Sequence, residues 1–253
     1  MGKKRRYGWV KDKSDSRDIR YSVCREVALP PVIDLRPKMP DCYDQGQTGS
    51  CSGNATAGAI HYDRILQALP VWTPSRLFIY YNTRLIEGTT SEDAGGTIRD
   101  SVKSVAKYGT CREDIYWPYI EEKFADKPPA MAYQEAAKHT AIQYLRIDNS
   151  NISELKQCLV AGFPVIFGMS VYESFESDDV AKTGKVPLPG KGEQRQGGHA
   201  LLLCGYSDPL SAFIVRNSWG TTWGLSGYCY IPYAYLTDLS LASDFWTIRR
   251  VAA

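Results

Sequence analysis

The sequence predicts an α+β chain, helical in its first half and mainly β in its second. Three observations carry that expectation. From Cys51 to Leu69 the residues Ala55, Ala59, Tyr62, Ile65, Leu66 and Leu69 recur at three- and four-residue spacing, the stripe of a helix that Pro70 ends. After Pro128-Pro129 the period changes, and Thr140–Ile147 alternates as a half-buried strand does. Short apolar runs separated by turn residues then fill the chain to its end. At 253 residues and 43% hydrophobic composition, the chain can bury the core of one large domain or two lobes.

Taken in order, residues 1–30 form a polar extension (KKRR, then KDKSDSRD) closed by Pro30-Pro31, with Tyr7, Trp9, Ile19 and Tyr21 as its anchors. It has no core of its own and is either a solvated tail or a strap laid over the body by those side chains. From Val32 an extended connection leads into Asp44–Asn54, DQGQTGSCSGN, which places Cys51 in the first turn of the first helix. Thr73-Pro74 reads as a capping hydroxyl and first-position proline for a second helix carrying Leu77, Tyr80, Tyr81, Arg84 and Leu85. A third runs from Thr97 to Tyr108, with Ile98, Val102 and Val105 on one side and Gly109 as its stop. Residues 31–130 thus read as a mainly helical unit, with a seam near 130.

Residues 131–253 read as a mainly β unit. Asn151 and Glu154 form a capping box for a short helix ended by Gly162. Val165–Met169, Ala200–Tyr206, Ala212–Arg216, Tyr228–Ile231 and Phe245–Arg249 read as strands. Residues 174–198, rich in Gly, Pro, Lys and acidic residues, read as a long loop delivering Gly197, Gly198 and His199 to a strand start.

Composition narrows the function. Lys+Arg at 30 against Asp+Glu at 28 gives a net charge of +2, too balanced to declare a nucleic-acid partner. No apolar run reaches the roughly 18 residues of a membrane span. No hydrophobic segment follows the basic start, and Arg6 stands where a myristoylation site wants Ser or Thr, so a cytoplasmic monomer without lipid anchor is expected. The seven cysteines are scattered singly with no CxxC pair and no close Cys/His cluster, which points to free thiols, no metal and no cofactor. Cys158, Cys204 and Cys229 lie in apolar contexts and read as core filling.

A thiol is a nucleophile only as thiolate, and a helix N-terminus favours that charge, so Cys51 is the candidate nucleophile; by position alone it is equally a small buried residue. Of the three histidines, His61 lies inside the first helix and His139 ends a charged, alanine-rich run, where a satisfied or surface role suffices. His199 differs. It opens the apolar run ALLLCGY after two glycines, which let the chain approach another element closely. Asn217, 18 residues on in VRNSWGTTWG, would stand beside it across a hairpin, holding the ring by its amide oxygen while Trp219 covers that bond. Gln45, six residues before Cys51, offers a neutral amide donor to an oxyanion.

QGQTGSC, GGHALLLCGY and RNSWGTTWGLSGY, in that order, resemble the signature blocks of the papain-like cysteine peptidases, over about residues 31–250. The pattern is closer to the bacterial branch, xylellain among it, than to the animal cathepsins. The resemblance implies a helical L lobe facing a β-barrel-like R lobe across an active-site cleft. It implies Cys51 as nucleophile, His199 as general acid/base, Asn217 as its orienter, and Gln45 with the Cys51 N–H as oxyanion hole. Gly95-Gly96 resembles the glycine pair that holds a substrate backbone; Gly198 gives room beside His199, and Trp219 lines the same place. The implied substrate is a peptide or protein, hydrolysed through an acyl-enzyme thioester.

Departures from the family pattern are also informative. The family pairs a cysteine three residues before the nucleophile with one two residues before the glycine pair; here Thr48 and Asp93 hold those places, which favours a reducing compartment. Ser52 replaces the usual Trp. The 30-residue extension is shorter than the family's helical prodomain, and is expected to restrain the cleft as an intramolecular regulator. Residues 174–198 hold no paired histidines before His199 of the kind carboxydipeptidases use, so an endopeptidase is preferred, with an exopeptidase, a silent peptide-binding module or an acyl transferase as alternatives.

Overall fold

The computed structural model describes residues 6–22 and 28–252; Cys24 and most of the KKRR run lie outside them. Two short strands, β1 (Trp9–Val10) and β2 (Val32–Asp34), precede α1 (Cys51–Leu66) and α2 (Arg76–Glu87). Next come β3 (Gly96–Thr97), α3 (Ile98–Tyr108) and α4 (Ala130–Ala136). The remainder is β4 (Ala141–Ile147), α5 (Ile152–Val160), β5 (Val165–Tyr172), α6 (Asp178–Thr183), β6 (Arg195–Ser207), β7 (Ala212–Arg216), β8 (Tyr228–Pro232), α7 (Tyr233–Thr237) and β9 (Ala242–Val251). The α+β expectation holds. The main sheet is antiparallel in the order β4-β9-β5-β6-β7-β8, with β2 added to β6.

The first helix ends three residues before the stripe does, because Ala68 takes φ 54° and the chain turns back on the Arg64 carbonyl. Nor is it buried on one face only. All of Cys51–Arg64 is buried, since α1 touches α2 and α3 as well as β6 and β9. Small residues permit this: a Cβ on Gly58 would stand 3.3 Å from Leu202 of β6.

Helix caps differ from expectation in two places. The cap of α2 is Ser75, whose Oγ accepts from the Phe78 N–H at 3.2 Å, because Pro74 is drawn into a bridge with Arg112. At α5 the Asn151 side chain donates to Glu154 Oε1 at 3.3 Å and caps no backbone N–H, so the expected box does not close. Thr97 and Gly109 bound α3 as expected. The stretch 174–198 is not one loop: it holds α6, capped by Ser177, and β6 already begins at Arg195.

Two cores meet at β6. Alternate side chains of that strand go to different sides: Leu201 and Leu203 join Phe167, Phe213 and Phe245, whereas Ala200 and Leu202 join Ile60 of α1, Ile79 and Val102. One strand is thus packed against the helices and against the rest of the β half. That places its first buried residues, Gly198 and His199, beside the start of α1.

Candidate active site

His199 and Asn217 lie on adjacent strands, β6 and just past β7, and the hairpin brings His199 Nε2 to 2.8 Å from Asn217 Oδ1. The tautomer follows. Asn217 Oδ1 also accepts from the Ser218 N–H at 2.8 Å, so it is the amide oxygen, and the ring nitrogen facing it must donate. Nδ1 is then the ring nitrogen that carries no proton in the neutral imidazole. Trp219 lies nearly parallel to the imidazole, ring centroids 5.2 Å apart. His199, Asn217 and Trp219 are all buried.

Cys51 is the first residue of α1, and its thiol faces backbone groups of Ala200, the neighbour of His199, and of Gly8. Burial pushes the thiol above its ordinary pKa, against the lowering effect of backbone hydrogen bonds from Ala200, Gly8, Ser52 and Cys51 itself. The helix start alone predicts the opposite direction. The difference lies in what covers the sulfur.

Gln45 is fixed on both sides. Its Oε1 accepts from Ser218 Oγ at 2.6 Å and its N–H donates to the Ser218 carbonyl at 2.9 Å. One Nε2 hydrogen goes to the Thr48 carbonyl at 2.9 Å, which turns the other toward the cleft, where the Arg6 carbonyl accepts at 3.4 Å. The loop before Cys51 is braced from below by Arg76, which donates to the Asp44 carbonyl at 2.9 Å, pairs with Glu113 at 2.8 Å and stacks on Tyr119. Tyr119 in turn donates to the Gln45 carbonyl at 2.9 Å.

The extension passes directly through this site. The Gly8 carbonyl accepts from the Gly96 N–H at 2.8 Å, and β1 pairs in parallel with β3. Tyr7 stands edge-on to His199, centroids 5.9 Å apart, and donates to Glu176. Trp9 fills the space left by two missing side chains: a Cβ on Gly168 or Gly198 would fall 2.0 or 2.7 Å from its ring. Its Nε1 donates to Asp244 at 3.2 Å. Tyr21 is buried too, but the Ile19 side chain is 66% exposed, and the residue is held through its carbonyl, which accepts from the Arg146 N–H at 2.9 Å.

The other histidines stay apart from this group. His61 is buried and bonded to Tyr43 OH at 2.9 Å, burial holding it down at about 4. His139 is not a surface residue as expected; it packs on Trp72 and faces Glu135 at 3.3 Å. Among the described residues six cysteines, Cys51 included, are buried free thiols.

A model of papain family cysteine proteases matches residues 29–244. The chain belongs to the papain family. Xylellain, a cysteine protease from Xylella fastidiosa, superposes with a TM-score of 0.92 at 40% identity over 98% of each chain. An uncharacterized peptidase C1-like protein of Acanthamoeba polyphaga mimivirus is 41% identical over 98% of this chain and 88% of its own. Mouse cathepsin K is 25% identical over 87% of this chain, which spans 64% of that protein's length.

In this papain-family protease, side chains brace the places where a disulfide is absent. The Asp93 carboxylate accepts from the Gly49 N–H at 3.0 Å and from Tyr80 OH at 2.5 Å, and Tyr80 OH accepts from the Gly95 N–H at 3.0 Å. Glu121 accepts from the Gln47 N–H at 2.5 Å and from Thr48 Oγ1 at 3.2 Å. Sequence reasoning found Thr48 and Asp93 but not Tyr80, Arg76 or Glu121, which come from distant stretches. Ser218, set between Asn217 and Trp219, had a signal in its neighbours. Asp244, at φ 61° in β9, had none.

Proposed function

We propose that this cysteine protease is an endopeptidase in which Cys51 attacks the peptide carbonyl as a thiolate and His199 carries the proton. Asn217 holds the ring so that Nδ1 faces the chemistry, and Trp219 keeps water from that bond. The developing oxyanion is met by Gln45 Nε2 and the Cys51 N–H. His199 protonates the leaving amine, and water then hydrolyses the thioester with His199 as base. The observation that carries this reading is the 2.8 Å contact of His199 Nε2 with Asn217 Oδ1, because it fixes which ring nitrogen is reactive. Among the described residues, 174–198 carry no histidine that could hold a substrate's terminal carboxylate, which supports internal cleavage.

The same reading makes residues 6–21 an intramolecular restraint. Gly8 uses the Gly96 N–H that a substrate backbone would need, and Arg6 meets the Gln45 amide. A peptide blocked at both ends and quenched internally tests the proposal. The wild-type chain is expected to cleave it and Cys51→Ala to be inert. Hydrolysis by Cys51→Ala would exclude the mechanism, and cleavage of free-ended peptides alone would make the enzyme an exopeptidase.

A further inference from the structure

We propose that Tyr80 and Glu87 of α2 are positioning residues for extended substrates: together they aim the Gly96 N–H into the cleft. Tyr80 also ties that donor to the loop carrying Cys51. The inference rests on the peptidase reading above and deepens it, so that the side chains standing in for a disulfide act on the reaction as well as on the fold.

One face of α2 is a mould for the chain that ends in β3. Tyr80, Thr83, Arg84 and Glu87 share that face at three- and four-residue spacing, and each touches the segment. Arg84 donates to the Thr90 carbonyl at 3.0 Å and to the Glu92 carbonyl at 2.6 Å. Tyr80 OH accepts from the Gly95 N–H at 3.0 Å, where a φ of 77° turns the chain into the strand. Glu87 Oε1 accepts from the Thr97 N–H at 2.7 Å. Between those two, a Cβ on Gly96 would fall 2.7 Å from Thr83 Cγ2, so the strand lies flat on the helix. Successive N–H groups of a strand point to opposite sides. With the Thr97 N–H held by α2, the Gly96 N–H must face away from it, and there it meets the Gly8 carbonyl at 2.8 Å. A substrate backbone would take the same donor.

Tyr80 carries the position further. It is fully buried, and burial, with the Asp93 hydrogen bond adding to it, pushes the phenol well above its ordinary range. The proton therefore stays on the phenol and goes to Asp93 at 2.5 Å, which leaves a lone pair for Gly95. The Asp93 carboxylate also accepts from the Gly49 N–H, two residues before Cys51, at 3.0 Å. Gly95, Tyr80, Asp93 and Gly49 thus form one hydrogen-bonded line between the backbone donor and the nucleophile's loop. Its length sets where a bound carbonyl stands relative to the sulfur.

The test uses the full-length chain and two p-nitrophenyl esters with the same leaving group, each rate taken as the excess over Cys51→Ala. The ester of acetyl-alanyl-glycine carries an alanine carbonyl for Gly96, whereas the acetate has no backbone beyond the reacting carbonyl. The ratio of kcat/KM, peptide ester over acetate, is expected to fall about tenfold in Tyr80→Phe, the worth of one aimed hydrogen bond, with the acetate rate unchanged. Glu87→Met should lower the ratio in the same way, and Glu87→Gln, which keeps an oxygen for the Thr97 N–H, should keep it at the wild-type value. Loosening of the strap raises both rates together and cancels in the ratio. A wild-type ratio in Tyr80→Phe, an equal loss on both esters, or a Glu87→Gln ratio as low as that of Glu87→Met overturns the assignment while leaving the peptidase reading intact. Cleavage of both esters as fast in Cys51→Ala as in the wild type overturns the peptidase reading, and this inference with it.

Discussion

Gln45 has five hydrogen-bonding groups, and four of them are spent on holding it: its N–H and Oε1 on Ser218, its carbonyl on Tyr119, and one Nε2 hydrogen on Thr48. Only the last hydrogen points at the cleft. Gln45→Ala should therefore lower kcat by about 10²–10³ with little change in KM, since such a donor acts on the charge of the transition state. Steady-state kinetics on one peptide would check this; an equal rise in KM with kcat unchanged would make Gln45 a ground-state contact. The amide was readable from QGQTGSC because a donor six residues from a thiol fits one short loop. Its partners were not, because Ser218 and Tyr119 reach it only through the fold, and no local pattern marks a residue that touches a loop 74 or 173 positions away.

Among the elements, the strap carries its own titration. Asp12 donates its backbone N–H to Asp244 at 2.8 Å, while its carboxylate accepts from Trp246 Nε1 at 2.9 Å. Burial, with Asp244 adding to it, raises the Asp12 carboxyl to about 6 from an ordinary 3.8, and burial also raises Asp244. For Asp18 burial acts upward as well, but bonds from Arg99 and Arg146 outweigh it and hold the carboxyl below its usual range. A docked strap thus binds Asp12's proton more tightly than a released one. This part of the docking is complete below the ordinary carboxylate pKa and is lost as pH rises through about 6. Asp18 works in the other sense and is lost only as pH falls through its lowered value. Hydrogen exchange at Val10, corrected for intrinsic rates, should accelerate between pH 5 and 7 by this account, and Asp12→Asn should flatten that change. Trp9→Ala should release the strap and raise kcat/KM by about tenfold, given the apolar contact it removes. The aromatics Tyr7, Trp9 and Tyr21 offered a strap as one of two readings of the extension, beside a solvated tail. The strap's path was not readable, because Gly168, Gly197 and Gly198 receive those rings by lacking side chains, and a glycine in sequence does not say what fills its space.

For the molecule as a whole, the helical and β elements are joined where α1 packs on β6, and one buried cation ties the incoming chain to that junction. Arg216 donates to the Pro40 carbonyl and to the Asp41 carbonyl at 2.5 Å, and its guanidinium lies over the Tyr43 ring. Arg216→Met would leave those carbonyls without their donor and should cost about 2–4 kcal/mol in urea unfolding. A loss under 0.5 kcal/mol would show that water replaces the guanidinium freely. The α+β class and most helices and strands were readable from periodicity. The helix buried all round was not, since its apolar stripe cannot report the second element packed on its polar face. The account turns on one sulfur among seven. Titration with a peptidyl epoxide, followed by peptide mapping, is expected to place one equivalent of label on Cys51 alone, with hydrolysis falling in proportion. Label on another cysteine, or activity that persists when Cys51 is fully modified, would contradict it.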